Sequence, residues 1–174
     1  MLAGLQDRGA IGTTSLDDAV AHADRYVALL PDGPASLADL GSGGGLPGLV
    51  IAVRRPDLSV VLVERRLARA DQLRRAVSAL AVADRVSVHA DDVRTLATVR
   101  PHSFDVVTAR SFAAPPVTAA WAGRLLRVGG ILLVSEPPVA DDRRWPVEVI
   151  AAAGLEDHGV TDGVRRFTRL ATSD

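Results

Sequence analysis

The stretch from Ser36 to Val53, Ser-Leu-Ala-Asp-Leu-Gly-Ser-Gly-Gly-Gly-Leu-Pro-Gly-Leu-Val-Ile-Ala-Val, constrains this chain more than any other. Leu37 to Leu40 supply a short apolar run that reads as a buried strand. Gly41, Gly43, Gly44 and Gly45 then leave the backbone free to bend sharply and to approach a ligand closely. Pro47 suits a first helical turn, where its missing N–H costs nothing. A strand, a glycine turn and a helix in that order aim unpaired amides, at the positive end of a helix, into the crevice above the strand. The pattern points to an anionic or zwitterionic cofactor.

Two registers compete for that cofactor. Gly43, Gly45 and Gly48 satisfy the dinucleotide pattern G-x-G-x-x-G, which indicates NAD. In that motif the strand runs directly into the first glycine, whereas here Gly41 and Ser42 already break the strand before Gly43. The other register is an acidic residue at the strand end, one apolar residue and then G-x-G-x-G, met by Asp39, Gly41, Gly43 and Gly45. It resembles motif I of the class I S-adenosylmethionine-dependent methyltransferases.

Composition narrows the field further. At 174 residues the chain is long enough to bury a core as one domain, 1–174, with a helical lead over 1–34 and the main body over 35–174. The absence of cysteine excludes disulfides, thiolate metal sites and a cysteine nucleophile, and it suits a cytosolic setting. All 20 basic residues are arginine, yet the net charge is −1, so any RNA contact must be a local patch. The four histidines, at 22, 89, 102 and 158, show no metal-ligand spacing, and no metal site is expected. No apolar run approaches the roughly 20 residues of a membrane span, and Met1 to Gly12 lacks the layout of a signal peptide.

Strand and helix signals alternate along the chain. Ser15, with Asp18 three residues on, opens a helix whose buried stripe is Leu16, Ala19, Val20, Ala23, Val27 and Leu30, ended by Pro31-Asp-Gly-Pro34. After the central turn and its helix, Ser59 to Val63 is a β-branched run suited to a strand buried on both faces, with Glu64 at its carboxyl end. Leu67, Ala70, Leu73, Val77 and Leu80 mark the next helix. Val86 to Ala90 is a third strand, followed by Asp91 and Asp92. Phe104 to Thr108 is a fourth, ending at Ala109 and Arg110. Val117 to Leu126 reads as helix, Gly129 to Ser135 as a fifth strand, and Trp145 to Ala153 as a last helix closed by Gly154. Strands over Leu155 to Thr161 and Arg165 to Ala171 flank Asp162-Gly163, a hairpin signal. The expected fold is α/β: a doubly wound, mostly parallel seven-stranded sheet with a C-terminal antiparallel hairpin and a short N-terminal helix.

In such sheets the ligand lies beyond the carboxyl ends of the strands, beside the first one. The polar residues at those ends are Asp39 with the turn Gly41, Ser42, Gly43 and Gly45; Glu64 with Arg65; Asp91 with Asp92; and Arg110. The turn can take the methionine portion of S-adenosylmethionine, and Asp39 can accept from its ammonium or hold the turn. Glu64 can take both ribose hydroxyls, or serve only as a dipole partner of the helix it opens. Asp91 and Asp92 can contact the cofactor, and one can simply start the next helix. Arg110 suits a carboxylate or a phosphate, or a solvated strand end. The run Arg65, Arg66, Arg69, Arg74 and Arg75 reads as a solvated helix face. Phe112 packs in the core or stacks on a base.

The longer string Asp39-Leu-Gly-Ser-Gly-Gly-Gly-Leu-Pro-Gly-Leu49 resembles the glucose-inhibited division protein B family, also called small-subunit ribosomal RNA methyltransferase G. Arg8-Gly-Ala-Ile-Gly12, Leu29-Leu-Pro31, Arg55-Pro-Asp57 and Phe104-Asp-Val-Val-Thr-Ala-Arg-Ser-Phe-Ala113 agree in order, so the resemblance runs over roughly residues 8–135. It implies a Rossmann-like methyltransferase fold, S-adenosylmethionine as cofactor, and methyl transfer to a guanine N7 of 16S rRNA, with the rRNA or the 30S subunit as partner. It also implies that Asp92 and Val93 contact the adenine, that Leu46 lies against the cofactor, and that Arg110 is the family's arginine beside it. The family's helical lead is longer, so this chain reads as shortened at its N-terminus. Where the family shows a Leu-Lys-Gly element, Ser135-Glu-Pro-Pro138 sets the Glu136 carboxylate beside the substrate mouth.

Guanine N7 already carries a lone pair, so methyl transfer to it requires positioning rather than a general base. The missing cysteine argues against pyrimidine C5 methylation. Arg110-Ser-Phe-Ala-Ala-Pro-Pro116 also lacks the Asn/Asp-Pro-Pro-aromatic motif of many amino-group methyltransferases. A methyltransferase of another small-molecule or protein acceptor, a cofactor-binding relative without catalysis, and an NAD-dependent oxidoreductase stand as alternatives.

Overall fold

The structure, a computed structural model, describes residues 15–139 and 141–171. Arg8 to Gly12 lie outside the described residues. Seven strands form one sheet in the order β3-β2-β1-β4-β5-β7-β6. They are β1 (Ala35–Leu40), β2 (Leu58–Val63), β3 (Val86–His89), β4 (Phe104–Ala109), β5 (Leu126–Ser135), β6 (Leu155–Thr161) and β7 (Val164–Arg169). The first five pair in parallel, and β7 runs antiparallel between β5 and β6. The switch in strand order falls between β1 and β4, where ligands of open α/β sheets collect.

Side chains alternate across each strand, so β1 and β2 feed two cores. Leu37, Val60 and Leu62 point to one face, packed by Tyr26, Leu49, Ile51, Leu73 and Val77. Ala38, Leu40, Val61 and Val63 point to the other, packed by Leu96, Ala119, Ala122, Leu125 and Ile150. Helices α1 (Leu16–Val27), α2 (Gly48–Arg54) and α3 (Leu67–Ala79) cover the first face; α4 (Val93–Val99), α5 (Pro115–Leu125) and α6 (Val147–Ala152) cover the second.

Helix α1 starts where its cap dictates: the Ser15 hydroxyl oxygen accepts from the Asp18 amide at 3.1 Å. Its buried side differs from the expected stripe. Ala19, Ala23, Tyr26 and Leu30 are buried, whereas Val20 and Val27 are half-buried. Tyr26 goes inside because its hydroxyl finds a partner there, donating to the Ala109 carbonyl at 3.0 Å.

Several boundaries shift from the expected ones, three of them for a clear physical reason. Helix α5 begins at Pro115 because prolines are tolerated in a first turn. Strand β5 begins at Leu126, which pairs with Phe104 before a bulge restores register at Val106 with Ile131. The last helix begins only at Val147, because Pro146 disfavours helical backbone before it and lacks the N–H of a helix interior. A short 3-10 turn, Asp142–Arg144, precedes it, and the buried Trp145 packs on Phe167 with ring centroids 4.8 Å apart.

Candidate active site

The glycine turn is built by backbone that side chains resist. Gly41, Gly43 and Gly45 have φ of +68°, +51° and +90°, and helix α2 starts only at Gly48. The Ser42 amide donates to the Val63 carbonyl at 3.0 Å, and the Ser42 hydroxyl donates to the Asp39 carbonyl at 2.9 Å. Strand β1 ends at Leu40, so two residues separate it from Gly43, the first glycine of the dinucleotide register. A Cβ at Gly41 would come within 2.9 Å of the Phe112 ring.

Asp39 lies beneath this turn, 1% exposed. Its Oδ1 accepts from the Thr108 hydroxyl at 2.7 Å, and its buried Oδ2 has no hydrogen bond. A Cβ at Gly48 would stand 2.6 Å from that oxygen. Burial pushes the Asp39 carboxyl up to about 6 against the hydrogen bond from Thr108. The Asp39 side chain thus ties β1 to β4 beneath the turn, while its backbone carbonyl takes the Ser42 hydroxyl.

Glu64, at the end of β2, is 6% exposed and faces the turn. Its Oε2 accepts from the Gly43 amide at 3.1 Å and its Oε1 from the Arg66 amide at 2.8 Å. After β3, Asp91 Oδ1 accepts from the Asp92 amide at 2.6 Å, and Asp92 caps α4 by accepting from the Arg94 amide at 3.0 Å. Asp92 is therefore the residue of the pair that starts the helix.

A hollow of 360 Å³ opens between these strand ends. Of the residues expected at the cofactor, Gly41, Glu64, Arg65, Asp91, Asp92 and Val93 line it. Asp39, Ser42, Gly43 and Gly45 shape its floor without lining it. Leu46, expected against the cofactor, is buried instead with Ala19, Ala23 and Val50, because α1 lies over the start of α2. Arg110 is absent from this wall as well: it lines a second hollow, of 470 Å³, with Asp18, His22 and Arg25 of α1 and Ser135 and Glu136 after β5.

Part of the wall comes from residues to which the sequence assigns another role, or none. Arg66, Arg69 and Arg94 line the 360 Å³ hollow, as do Phe112, Val117 and Trp121. The arginine run divides: its first half borders the hollow, while Arg74 is exposed and pairs with Asp71 at 2.7 Å. Proximity to the end of β2 was the available signal. Glu136, expected at the substrate mouth, borders the 470 Å³ hollow with its side chain only 1% exposed. It pairs with Arg144 and with Arg165, the latter at 3.3 Å, and accepts from the Trp145 indole.

Comparison with known proteins adds a family. A family model described as GidB, rRNA small subunit methyltransferase G, matches residues 16–138, which include every residue of the 360 Å³ hollow. Ribosomal RNA small subunit methyltransferase G of Kineococcus radiotolerans is 40% identical over 141 residues, covering 78% of this chain and 51% of that protein. The protein of the same name from Acidothermus cellulolyticus is 40% identical over 174 residues, 98% of this chain and 74% of its own length. The chain thus spans about half the length of several relatives it matches, including 43% of the one from Thermobifida fusca. Among solved structures, an O-methyltransferase family protein from Burkholderia thailandensis superposes with a TM-score of 0.67 at 17% identity, over 90% of this chain and 59% of that one. At that identity the likeness is one of fold.

Proposed function

Because the chain belongs to the rRNA small subunit methyltransferase G family, GidB, we propose that it acts as a single methyltransferase domain. On this reading it transfers a methyl group from S-adenosylmethionine to guanine N7 of 16S rRNA, in the cytoplasm where 30S subunits are assembled. The observation that carries the reading is the 360 Å³ hollow, where Glu64 and the Asp91–Asp92 pair stand beside backbone left bare at Gly41. Its size falls within the roughly 300–1,000 Å³ of small-molecule sites.

The residues fit the cofactor in kind. Both Glu64 oxygens already accept backbone amides, yet each keeps a lone pair for a ribose hydroxyl. Asp91, Asp92 and Val93 border the place for the adenine, with Arg65 alongside. The turn takes the methionine portion at Gly41, which lines the hollow, with the Ser42 hydroxyl on the Asp39 carbonyl bracing its shape. When bound, S-adenosylmethionine supplies an electrophilic methyl group on a sulfonium. The acceptor N7 carries its own lone pair, so the chain has no proton to remove. Its work is to align donor and acceptor and to exclude water.

The test is incubation with tritiated S-adenosylmethionine and 30S subunits lacking the guanine methyl group. Label mapped to one guanine of 16S rRNA is the expected result. Label confined to small molecules or protein, or none at all, would overturn the assignment.

A further inference from the structure

The wall that carries Asp91 and Asp92 is braced from behind. His89, the last residue of β3, pairs in register with Val63, and its carbonyl accepts from the Glu64 amide at 3.1 Å. Its half-buried ring reaches the first turn of α4, where Nε2 stands 2.8 Å from the Thr95 hydroxyl. That hydroxyl donates to the Asp92 carbonyl at 2.8 Å, and the same carbonyl accepts from the Thr95 amide at 3.1 Å. One residue thus holds Glu64 through its backbone and the turn at Asp92 through its side chain. Neither His89 nor Thr95 lines the cofactor hollow itself.

Counting protons fixes the direction of these bonds. A threonine hydroxyl has one hydrogen, and here it is committed to the Asp92 carbonyl. The ring nitrogen must therefore donate, so His89 carries a proton on Nε2 and the chain runs one way, from His89 through Thr95 to Asp92. Only Ala90, Asp91 and Asp92 stand between β3 and α4. The Asp92 side chain is held as well, because its Oδ1 accepts from the Arg94 amide at 3.0 Å. With the carbonyl and Oδ1 both engaged, Oδ2 is left as an acceptor.

We propose that His89 is a positioning residue for the adenine, acting through Thr95 on the Asp92 turn and setting the preference for a 6-amino purine. The inference rests on the cofactor reading above, in which Asp91, Asp92 and Val93 border the adenine. A carboxylate accepts from the 6-amino group of adenine and repels the carbonyl that hypoxanthine carries at the same place. A site that hydrogen-bonds a ligand N–H rejects the analogue lacking it only while its own acceptor is held in place by the residues behind it. His89 and Thr95 supply that hold.

His89→Leu, His89→Gln and Thr95→Val test the assignment by calorimetry with S-adenosylhomocysteine and with S-inosylhomocysteine, which carries hypoxanthine for adenine. His89→Leu and Thr95→Val should each weaken S-adenosylhomocysteine about three- to tenfold, the size of one hydrogen bond. They should weaken the inosine analogue less, so that the preference for adenine shrinks. His89→Gln, whose amide can still donate to Thr95, should recover most of the loss; no recovery would assign the loss to ring packing and overturn the proposal. The double variant His89→Leu/Thr95→Val should bind no more weakly than Thr95→Val alone, since both changes cut one chain of bonds. Partial unfolding would instead lower both affinities by one factor and leave their ratio unchanged. That result would overturn the proposal, as would an unaltered affinity in Thr95→Val. Binding of S-adenosylhomocysteine needs no RNA, so failure to methylate 30S subunits with these affinities intact would sink the acceptor reading alone. A wild-type chain that binds no S-adenosylhomocysteine would overturn the cofactor reading and this proposal with it.

Discussion

The Glu64 carboxylate reaches back across 21 positions to the Gly43 amide, which donates to its Oε2 at 3.1 Å, while its Oε1 accepts from the Arg66 amide at 2.8 Å. One side chain thus ties the turn after β1 to the start of α3. Hydrogen bonds to a charged acceptor contribute about 1.5–3 kcal/mol each, and a neutral amide keeps the volume but loses that increment and sets an NH2 donor against one of the two backbone N–H groups. Glu64→Gln is therefore expected to weaken S-adenosylhomocysteine binding about tenfold or more by calorimetry. An unchanged affinity would mean that the carboxylate serves only the turn.

Gly48 meets buried neighbours that have no room to yield. A Cβ there would stand 2.5 Å from the Leu62 side chain and 3.0 Å from the Asp39 Cβ, and both residues are buried in the sheet. Overpacking of this kind costs about 1–3 kcal/mol, against about 1 kcal/mol gained from replacing a helical glycine by alanine. The steric term wins. Gly48→Ala should lower Tm by several degrees, since about 1 kcal/mol is worth roughly 2–4 °C in a chain of this size, and a rise in Tm would show that α2 shifts to make room.

Much of this architecture was legible because the signals were local. The β-branched run Val60 to Val63 needs no partner to read as a buried strand, and Asp162-Gly163, at φ +49° and +76°, turns the hairpin where its sequence says it should. Glu64 follows β2 directly, and Asp91 and Asp92 come within three residues of the end of β3, so strand ends placed them. What was not legible depends on distant partners. Leu46 is buried because α1 covers it, and Arg110 lines the hollow beside α1 while the next residue, Ser111, lines the 360 Å³ one. Tyr26 is inside because β4 offers a carbonyl 83 positions away.

Asp39 couples stability to pH through burial. Its carboxyl is raised from 3.8 to about 6 in the fold, so the folded chain holds a proton that the unfolded chain releases. The stabilisation is full below about pH 4 and is lost as pH rises through 6, amounting to roughly 3 kcal/mol. Asp57, Asp105 and Asp141 are lowered instead, and their stabilisation is lost as pH falls below the ordinary carboxylate range. Comparison with Asp39→Asn, which cannot ionise, isolates the Asp39 share. Denaturant melts at pH 4.5 and 7.5 should show the wild type losing stability relative to the variant, and parallel pH profiles would refute it.

Glu136 sets a carboxylate just past the end of β5, and two outcomes separate its alternative roles. If the charge faced the acceptor, neutralising it would improve RNA binding by removing repulsion. Its carboxylate is instead 1% exposed, between Arg144 and the 4% exposed Arg165 side chain, with the Trp145 indole donating to it. Breaking a buried ionic cluster by removing one partner costs about 3 kcal/mol, even though Arg165 keeps Asp157 at 2.5 Å. Glu136→Gln should therefore lower Tm by roughly 6–12 °C and leave KM for 30S subunits unchanged or higher. A lower KM with an unaltered melt would show instead that the carboxylate faces the acceptor.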